Sequence, residues 1–319
     1  MFRTLALAAL LSVTAPLAAP GAALAQDGHV NHAAHGPAAF SSDRITVRVD
    51  GDLDGRDIIL IPGLSSSPDI WQGTVDHLTA QDGAGWRVHR VHIQGFAGAP
   101  AGGNAQTGAA PTLIGAPAAE EIARYIREQG LHKPAVVGHS MGGTIAMMLA
   151  ARHPDSVSKL VVVDMIPFMG AMFGPPGATV ETVTPVADQV WAAQANSPRD
   201  AYVAQATTAI TGMVNNPERR EEALEDMRTS DQKVSAAAFR ELITTDLRPE
   251  LSKITAPTEV LYVKFNPPLT AELTDAIYQA SFATLPGVQL KRIDDSAHFI
   301  MFDQPQTFYG DLDAFLSAK

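Results

Sequence analysis

The stretch best suited to chemistry is Gly138-His139-Ser140-Met141-Gly142, entered from the apolar residues Val136-Val137 and left through a helical pattern from Gly143 to Arg152. A strand that breaks into a turn and re-emerges as a helix delivers the turn residue to the top of a sheet. The backbone there is cramped, so positions two before and two after the serine must lack side chains. Gly138 and Gly142 stand at those positions. The following helix aims its unpaired N–H groups at the serine, which favours any anion forming beside it. A serine hydroxyl becomes a good nucleophile only when a base takes its proton and a third group holds that base in the right tautomer.

Composition bounds what this serine serves. With 23 Lys and Arg against 34 Asp and Glu, the chain carries a formal charge of −11 and has no basic cluster, which argues against nucleic acid as a partner. It has no cysteine, so neither a lipoprotein attachment site nor a disulfide framework is available. Met1-Phe2-Arg3, the apolar run Leu5 to Val13 and the small-residue site Ala23-Leu24-Ala25 predict a secretory signal peptide over residues 1–25, cut before Gln26. Export to a periplasm or beyond is expected, with no stable membrane insertion after cleavage. Residues 26–40 contain His29, His32 and His35 among small residues, lack a ligand pattern for a metal, and are expected to be a disordered leader.

Periodicity places the supporting elements. Ile45 to Val49 alternates like an edge strand, and Ile58 to Ile61 is a continuous apolar run expected of a strand covered on both faces. Further strands are expected over Arg87 to Ile93, Lys159 to Val163, Glu259 to Val263 and Val288 to Ile293. Helices are expected over Asp69 to Leu78, Ala116 to Gln129, Thr270 to Thr284 and Pro305 to Ala318. Ala99 to Ala110, nearly without large side chains, reads as a mobile loop near the site entrance. This alternation implies an α/β fold with a doubly wound, mostly parallel sheet. Residues 41–164 and 247–319 form its core, and residues 165–246, with about four helical stretches, read as an inserted helical cap. Met165, Phe168, Met169, Met172 and Phe173 leave the carboxyl end of a strand and are the expected pocket lining.

From Ile45 to Lys319 the chain resembles the α/β-hydrolase fold, and within it the lidded carboxylesterase type. The resemblance implies several roles. The base would be His298, which lies after the last strand and shortly before Asp303-Gln304-Pro305. Leu64, in the loop Pro62-Gly63-Leu64, and Met141 would offer backbone N–H groups to an oxyanion, although Pro62 replaces the histidine usual in that loop. Most relatives place the acid after the strand Glu259 to Val263, where Lys264, Phe265 and Asn266 offer no carboxylate. A minority use the end of the preceding strand, where Asp164 stands, and the resemblance then implies Asp164 as the acid. Glu272 and Asp275 lie in a helical pattern, and Asp294 and Asp295 lie too near His298 in sequence.

A serine at the elbow argues against dehalogenases and epoxide hydrolases, which place an aspartate there. Hydrolysis of carboxylic esters with apolar acyl or aryl groups is the expected activity, on small molecules and without metal or cofactor. An aminopeptidase of the proline iminopeptidase kind is the alternative, needing cap carboxylates such as Glu221, Glu222, Glu225 and Asp226 to bind an amine. A non-catalytic ligand-binding protein of the same fold is the alternative of another class.

Overall fold

The computed structural model describes residues 39–80, 85–265 and 269–318. The expected signal peptide, the leader up to residue 38, and Asn266 lie outside the described residues. Among these residues one sheet is formed by β1 (Phe40–Ser41), β2 (Ile45–Gly51), β3 (Arg56–Ile61), β4 (Trp86–Ile93), β5 (Ala135–His139), β6 (Lys159–Val163), β7 (Thr258–Tyr262) and β8 (Gln289–Arg292). Their order is β1-β2-β4-β3-β5-β6-β7-β8. The pairs β1/β2 and β2/β4 are antiparallel, and every pairing from β4 to β8 is parallel. The expected α/β class with a mostly parallel sheet is therefore the observed one.

Continuous apolar strands make this arrangement possible. Ile59, Ile61, Val136, Leu160, Val162 and Val260 face one hydrophobic core, and Ile58, Leu60, Val137, Val161, Val163 and Leu261 face the other. Alternation along each strand divides its apolar residues between two layers. α2 (Gly115–Glu128), α3 (Met141–Arg152) and α8 (Ala271–Ser281) pack on the first face. α1 (Gln72–Thr79) and the closing helix α10 (Pro305–Ser317), preceded by the single turn α9 (Ile300–Asp303), pack on the second. Between β6 and β7 the chain inserts α4 (Val180–Asn196), α5 (Arg199–Thr211), α6 (Pro217–Thr229) and α7 (Gln232–Thr244). Their ends are set locally: Asn216 caps α6 and Asp231 caps α7 through side-chain oxygens that accept backbone N–H groups.

Three expectations need correction. Phe40 is not part of a disordered leader: it is buried in β1, its ring centroid 5.1 Å from that of Tyr125, and Ala39 N–H donates to Val47 O at 2.9 Å. One aromatic side chain with a buried partner orders a segment that composition averages away. β2 is consequently bordered, for two residues, by β1 and is not the outermost strand. The glycine-rich stretch from Ala99 is pinned, not featureless. Asn104 is fully buried, donates from Nδ2 to Arg44 O (3.1 Å) and Gln94 O (2.9 Å), and accepts from Arg44 Nη1 at 2.9 Å.

A carboxylate from the inserted helices clamps the core. Glu241 of α7 is buried, and its Oε2 accepts the N–H groups of Ile114 (2.6 Å) and Gly115 (2.8 Å) while Oε1 accepts that of Ala116 (2.8 Å). α2 has no side-chain cap of its own, so Glu241 satisfies the orphan donors at its positive end. Glu241→Ala leaves three donors without their acceptor and is expected to lower unfolding free energy by about 2–3 kcal/mol. Urea unfolding checks this, and an unchanged midpoint would contradict it.

Candidate active site

Ser140 occupies the turn between β5 and α3 with φ 54° and ψ −121°. A non-glycine residue at positive φ is strained by about 1–3 kcal/mol, which the surrounding packing must offset. Close backbone approach explains the flanking glycines. A Cβ on Gly138 would lie 2.1 Å from Gly142 O, and one on Gly142 would lie 2.2 Å from Ile61 O and 2.6 Å from Pro62 O. The turn that carries Ser140 is thus pressed against the end of β3. Ser140 N–H donates to Val163 O at 2.9 Å, extending the β5/β6 register and setting Ser140 beside Asp164.

Asp164, directly after β6, also has a positive φ of 52°. Its N–H donates to Leu261 O at 2.7 Å, anchoring it to β7. The carboxylate is buried and fully engaged: Oδ2 lies 2.6 Å from His298 Nδ1, and Oδ1 accepts from Val263 N–H (3.1 Å) and Tyr278 O–H (3.0 Å). Carboxylate oxygens accept, so Nδ1 of His298 carries the hydrogen and Nε2 is left as an acceptor. The imidazole is about a quarter exposed, at 23%. Burial and the neighbouring Asp164 charge push the Tyr278 phenol well above its usual range, so it remains a donor. The other carboxylates considered lie elsewhere. Asp275 is bound by Tyr262 and Arg292, Asp294 by Arg292, and Glu272 sits in the first turn of α8.

Backbone contacts fix the loop that carries His298, among them that of Gln304 Nε2, which donates to Asp295 O at 3.0 Å. Ala297 N–H donates to Asp303 Oδ2 (2.8 Å), Phe299 N–H donates to Met213 O (3.2 Å), and His298 O lies 3.0 Å from Nε2 of His139. Asp303 also accepts the N–H groups of Asn215 and Asn216, tying the loop to the turn between α5 and α6. Tyr278 and His139 escape sequence reasoning. Tyr278 follows the buried Thr274 at helical spacing, a polar stripe that could have signalled an inward-facing hydroxyl. His139 gave only the weak signal of a polar residue ending an otherwise apolar strand.

Met141 is the first residue of α3, so its N–H has no partner within that helix. Leu64 follows Gly63, whose absent Cβ would lie 3.2 Å from Ser140 Cβ; the loop runs directly along the serine. Inserted helices hold this loop from the other side. Ser65, at φ 54°, donates from Oγ to Ser235 Oγ at 2.8 Å, and Ser67 N–H donates to Asp226 Oδ2 at 2.7 Å. Glu221 and Glu225 pair with Arg228, and Glu222 pairs with Arg219, so all four cap carboxylates are engaged.

The five apolar residues after β6 separate. Met165 is buried against the start of α3, its Cβ 3.3 Å from where a Gly143 Cβ would stand. Phe168 instead packs with Ala178, Val183, Ala187 and Ile243 among the inserted helices, under the Arg248 guanidinium. Phe173 meets Phe239 edge-on, Met169 lies between the two clusters, and Met172 is exposed. Close approach of the chain to α7 diverts them: a Cβ on Gly170 would lie 2.3 Å from Ile243 O. Among the described residues no group of three or more His, Asp or Glu is arranged to hold a metal ion, and no helix is long and apolar enough to cross a membrane.

Burial pushes the Asp226 carboxyl up from 3.8 to about 7, with the Ser67 N–H acting in the opposite sense. The folded state therefore holds this proton more tightly than the unfolded chain does. Stability from the group is fully present below the unfolded value and is lost as pH rises through about 7. Asp226→Asn keeps an acceptor for Ser67 and removes the ionisation. In urea unfolding its free energy is expected to exceed the wild type's at pH 8, by about 2 kcal/mol or more at roughly 1.4 kcal/mol per unit, with the difference narrowing at pH 5 and closing only near the unfolded value of 3.8. An equal difference at both pH values would contradict this.

Comparison with known proteins bears on the fold. A family model described as alpha/beta hydrolase fold matches residues 58–305. A pimeloyl-[acyl-carrier protein] methyl ester esterase of Vibrio cholerae is 26% identical over 254 residues, covering 80% of this chain and 91% of that protein. One from Aeromonas hydrophila is 24% identical over 275 residues, 85% of this chain and 100% of that protein. Among solved structures, the enol-lactonase of Burkholderia xenovorans superposes with a TM-score of 0.68 at 18% identity, covering 88% of this chain and 100% of that one. An esterase of Exiguobacterium antarcticum superposes with a TM-score of 0.66 at 19% identity, covering 86% and 96%. With its elbow, its sheet and a family match over more than three quarters of its length, the chain belongs to the α/β-hydrolase fold family.

Proposed function

We propose that the protein is a serine esterase that cleaves small carboxylic esters with apolar acyl or aryl groups through an acyl-enzyme. The observation that carries this reading is the contact of Asp164 with His298 beside a strained serine on a nucleophile elbow. Ser140 Oγ attacks the carbonyl carbon while His298 Nε2 takes the hydroxyl proton. The charge developing on the carbonyl oxygen is met by the N–H groups of Leu64 and Met141. Collapse of the tetrahedral intermediate breaks the ester C–O bond, and His298 returns its proton to the leaving alkoxide. Water then attacks the acyl-serine with His298 again as base, releasing the acid and restoring Ser140. Asp164 holds the Nδ1–H tautomer and stabilises the transient imidazolium.

The relatives support an ester as the bond cleaved, since two are methyl ester esterases and a structure of similar fold is an enol-lactonase. Met165, with Met169 beyond it, is the lining we assign to the acyl pocket, its soft thioether suited to apolar groups of varied shape. The start of the chain supports action outside the cytoplasm, in a periplasm or after secretion. A p-nitrophenyl ester series of increasing acyl length tests the reading. Wild type should turn over short or medium esters, Ser140→Ala should lose at least about 1000-fold in kcat, and Asp164→Asn should lose roughly 1000- to 10,000-fold. Turnover retained in Ser140→Ala would overturn it.

A further inference from the structure

We propose that His139, the residue before the nucleophile, is a positioning residue that sets the spacing between Ser140 and His298 by donating a hydrogen bond from Nε2 to the main-chain carbonyl of His298. This rests on the esterase reading above.

His139 ends β5, and its side chain is buried. Its Nε2 lies 3.0 Å from His298 O. A carbonyl oxygen only accepts, so Nε2 carries the hydrogen and the neutral ring leaves Nδ1 as a bare lone pair. Nδ1 has no hydrogen-bond partner among the described residues, and a Cβ on Gly63 would lie 3.1 Å from it. Glycine at position 63 therefore gives the ring its room. Burial first, and then the charge of His298, hold the imidazole well below its usual range. The ring centroid stands 4.6 Å from that of His298 and 4.5 Å from that of Phe299.

The position of this contact in the fold gives it its role. Of the backbone anchors of the His298 loop, Asp303 and Gln304 come from α9 and the residue after it and Met213 from the inserted helices, whereas His139 comes from the strand that carries the serine. The path from Ser140 to His298 thus runs through one peptide bond, one rigid ring and one hydrogen bond. Asp164 fixes the tautomer and direction of the His298 imidazole. His139 fixes where its backbone sits relative to the nucleophile. A neutral ring also suits the place, because His298 becomes a cation each time it takes the Ser140 proton, and a second cation at this separation would oppose that step.

The test uses the full chain and a p-nitrophenyl ester that the wild type hydrolyses. His139→Phe keeps an aromatic ring and removes the donor, while His139→Gln places an amide N–H near the original Nε2. The expected result is a fall in kcat of about tenfold to 100-fold for His139→Phe with KM within about twofold, and recovery of most of that loss in His139→Gln. Wild-type kcat in His139→Phe, or an equal loss in both variants, would overturn the role of the hydrogen bond. Because His139→Phe could fail to fold, nitrogen-15 NMR of histidine-labelled wild type provides an independent reading. One histidine should remain a neutral Nε2–H tautomer from pH 5 to 8 and should vanish from the spectrum of His139→Gln. A titrating signal or an Nδ1–H tautomer at that position would overturn the proposal. A wild type that hydrolyses no ester defeats the esterase reading and this proposal together, whereas an active wild type with an insensitive His139→Phe defeats this proposal alone.

Discussion

A buried carboxylate at the end of β6 and an imidazole on the loop after β8 meet at 2.6 Å, and the site depends on that contact. An unpaired aspartate in this place would be costly, so each of its oxygens is engaged. Oδ2 takes His298, and Oδ1 takes a main-chain N–H of residue 263 and the Tyr278 hydroxyl. The arrangement leaves the carboxylate no freedom to turn away. It also explains why the strand after β6 can end without an acid: Lys264 and Phe265 stand where a carboxylate is more usual, and the backbone of Val263 braces Asp164 instead.

Much of this was legible in the sequence because the physics involved is local. Gly138 answers to Gly142 O within the same turn, the turn's own spacing marks Gly142 although what crowds it is the end of β3, and the continuous apolar runs of β3, β5 and β6 reflect burial on both faces. What escaped was long-range. Tyr278 reaches Asp164 across 114 positions, His139 reaches His298 across 159, and Glu241 reaches Ile114 across 127. No periodicity connects such residues, since each satisfies a partner that only the folded topology supplies. The divergence of the apolar residues after β6 has a related reason. Phe168 and Phe173 have the composition of a pocket wall, yet the approach of the chain to α7 turns them into the inserted helices.

The inserted helices meet the core through carboxylates placed on main-chain N–H groups and through one hydroxyl pair, Ser65 with Ser235. Glu241 holds the start of α2, Asp226 holds Ser67, Ser235 holds Ser65, and Asp303 reaches back from the core to the turn before α6. Two of these contacts bear on the loop that carries Leu64 and one on the loop that carries His298. The geometry around the serine is therefore coupled to the seating of the inserted helices. Those bonds are directional, so they fix position where apolar packing alone would tolerate sliding.

The proposed esterase requires Ser140, His298 and Asp164 to act as one unit. Labelling with a fluorophosphonate, followed by mass mapping of the modified peptide, tests it without knowledge of the substrate. A single adduct on Ser140 is expected, formed in wild type at least about 100-fold faster than in Asp164→Asn, because the base loses its orienting partner. An adduct on another residue, or equal labelling rates in the two proteins, would contradict it.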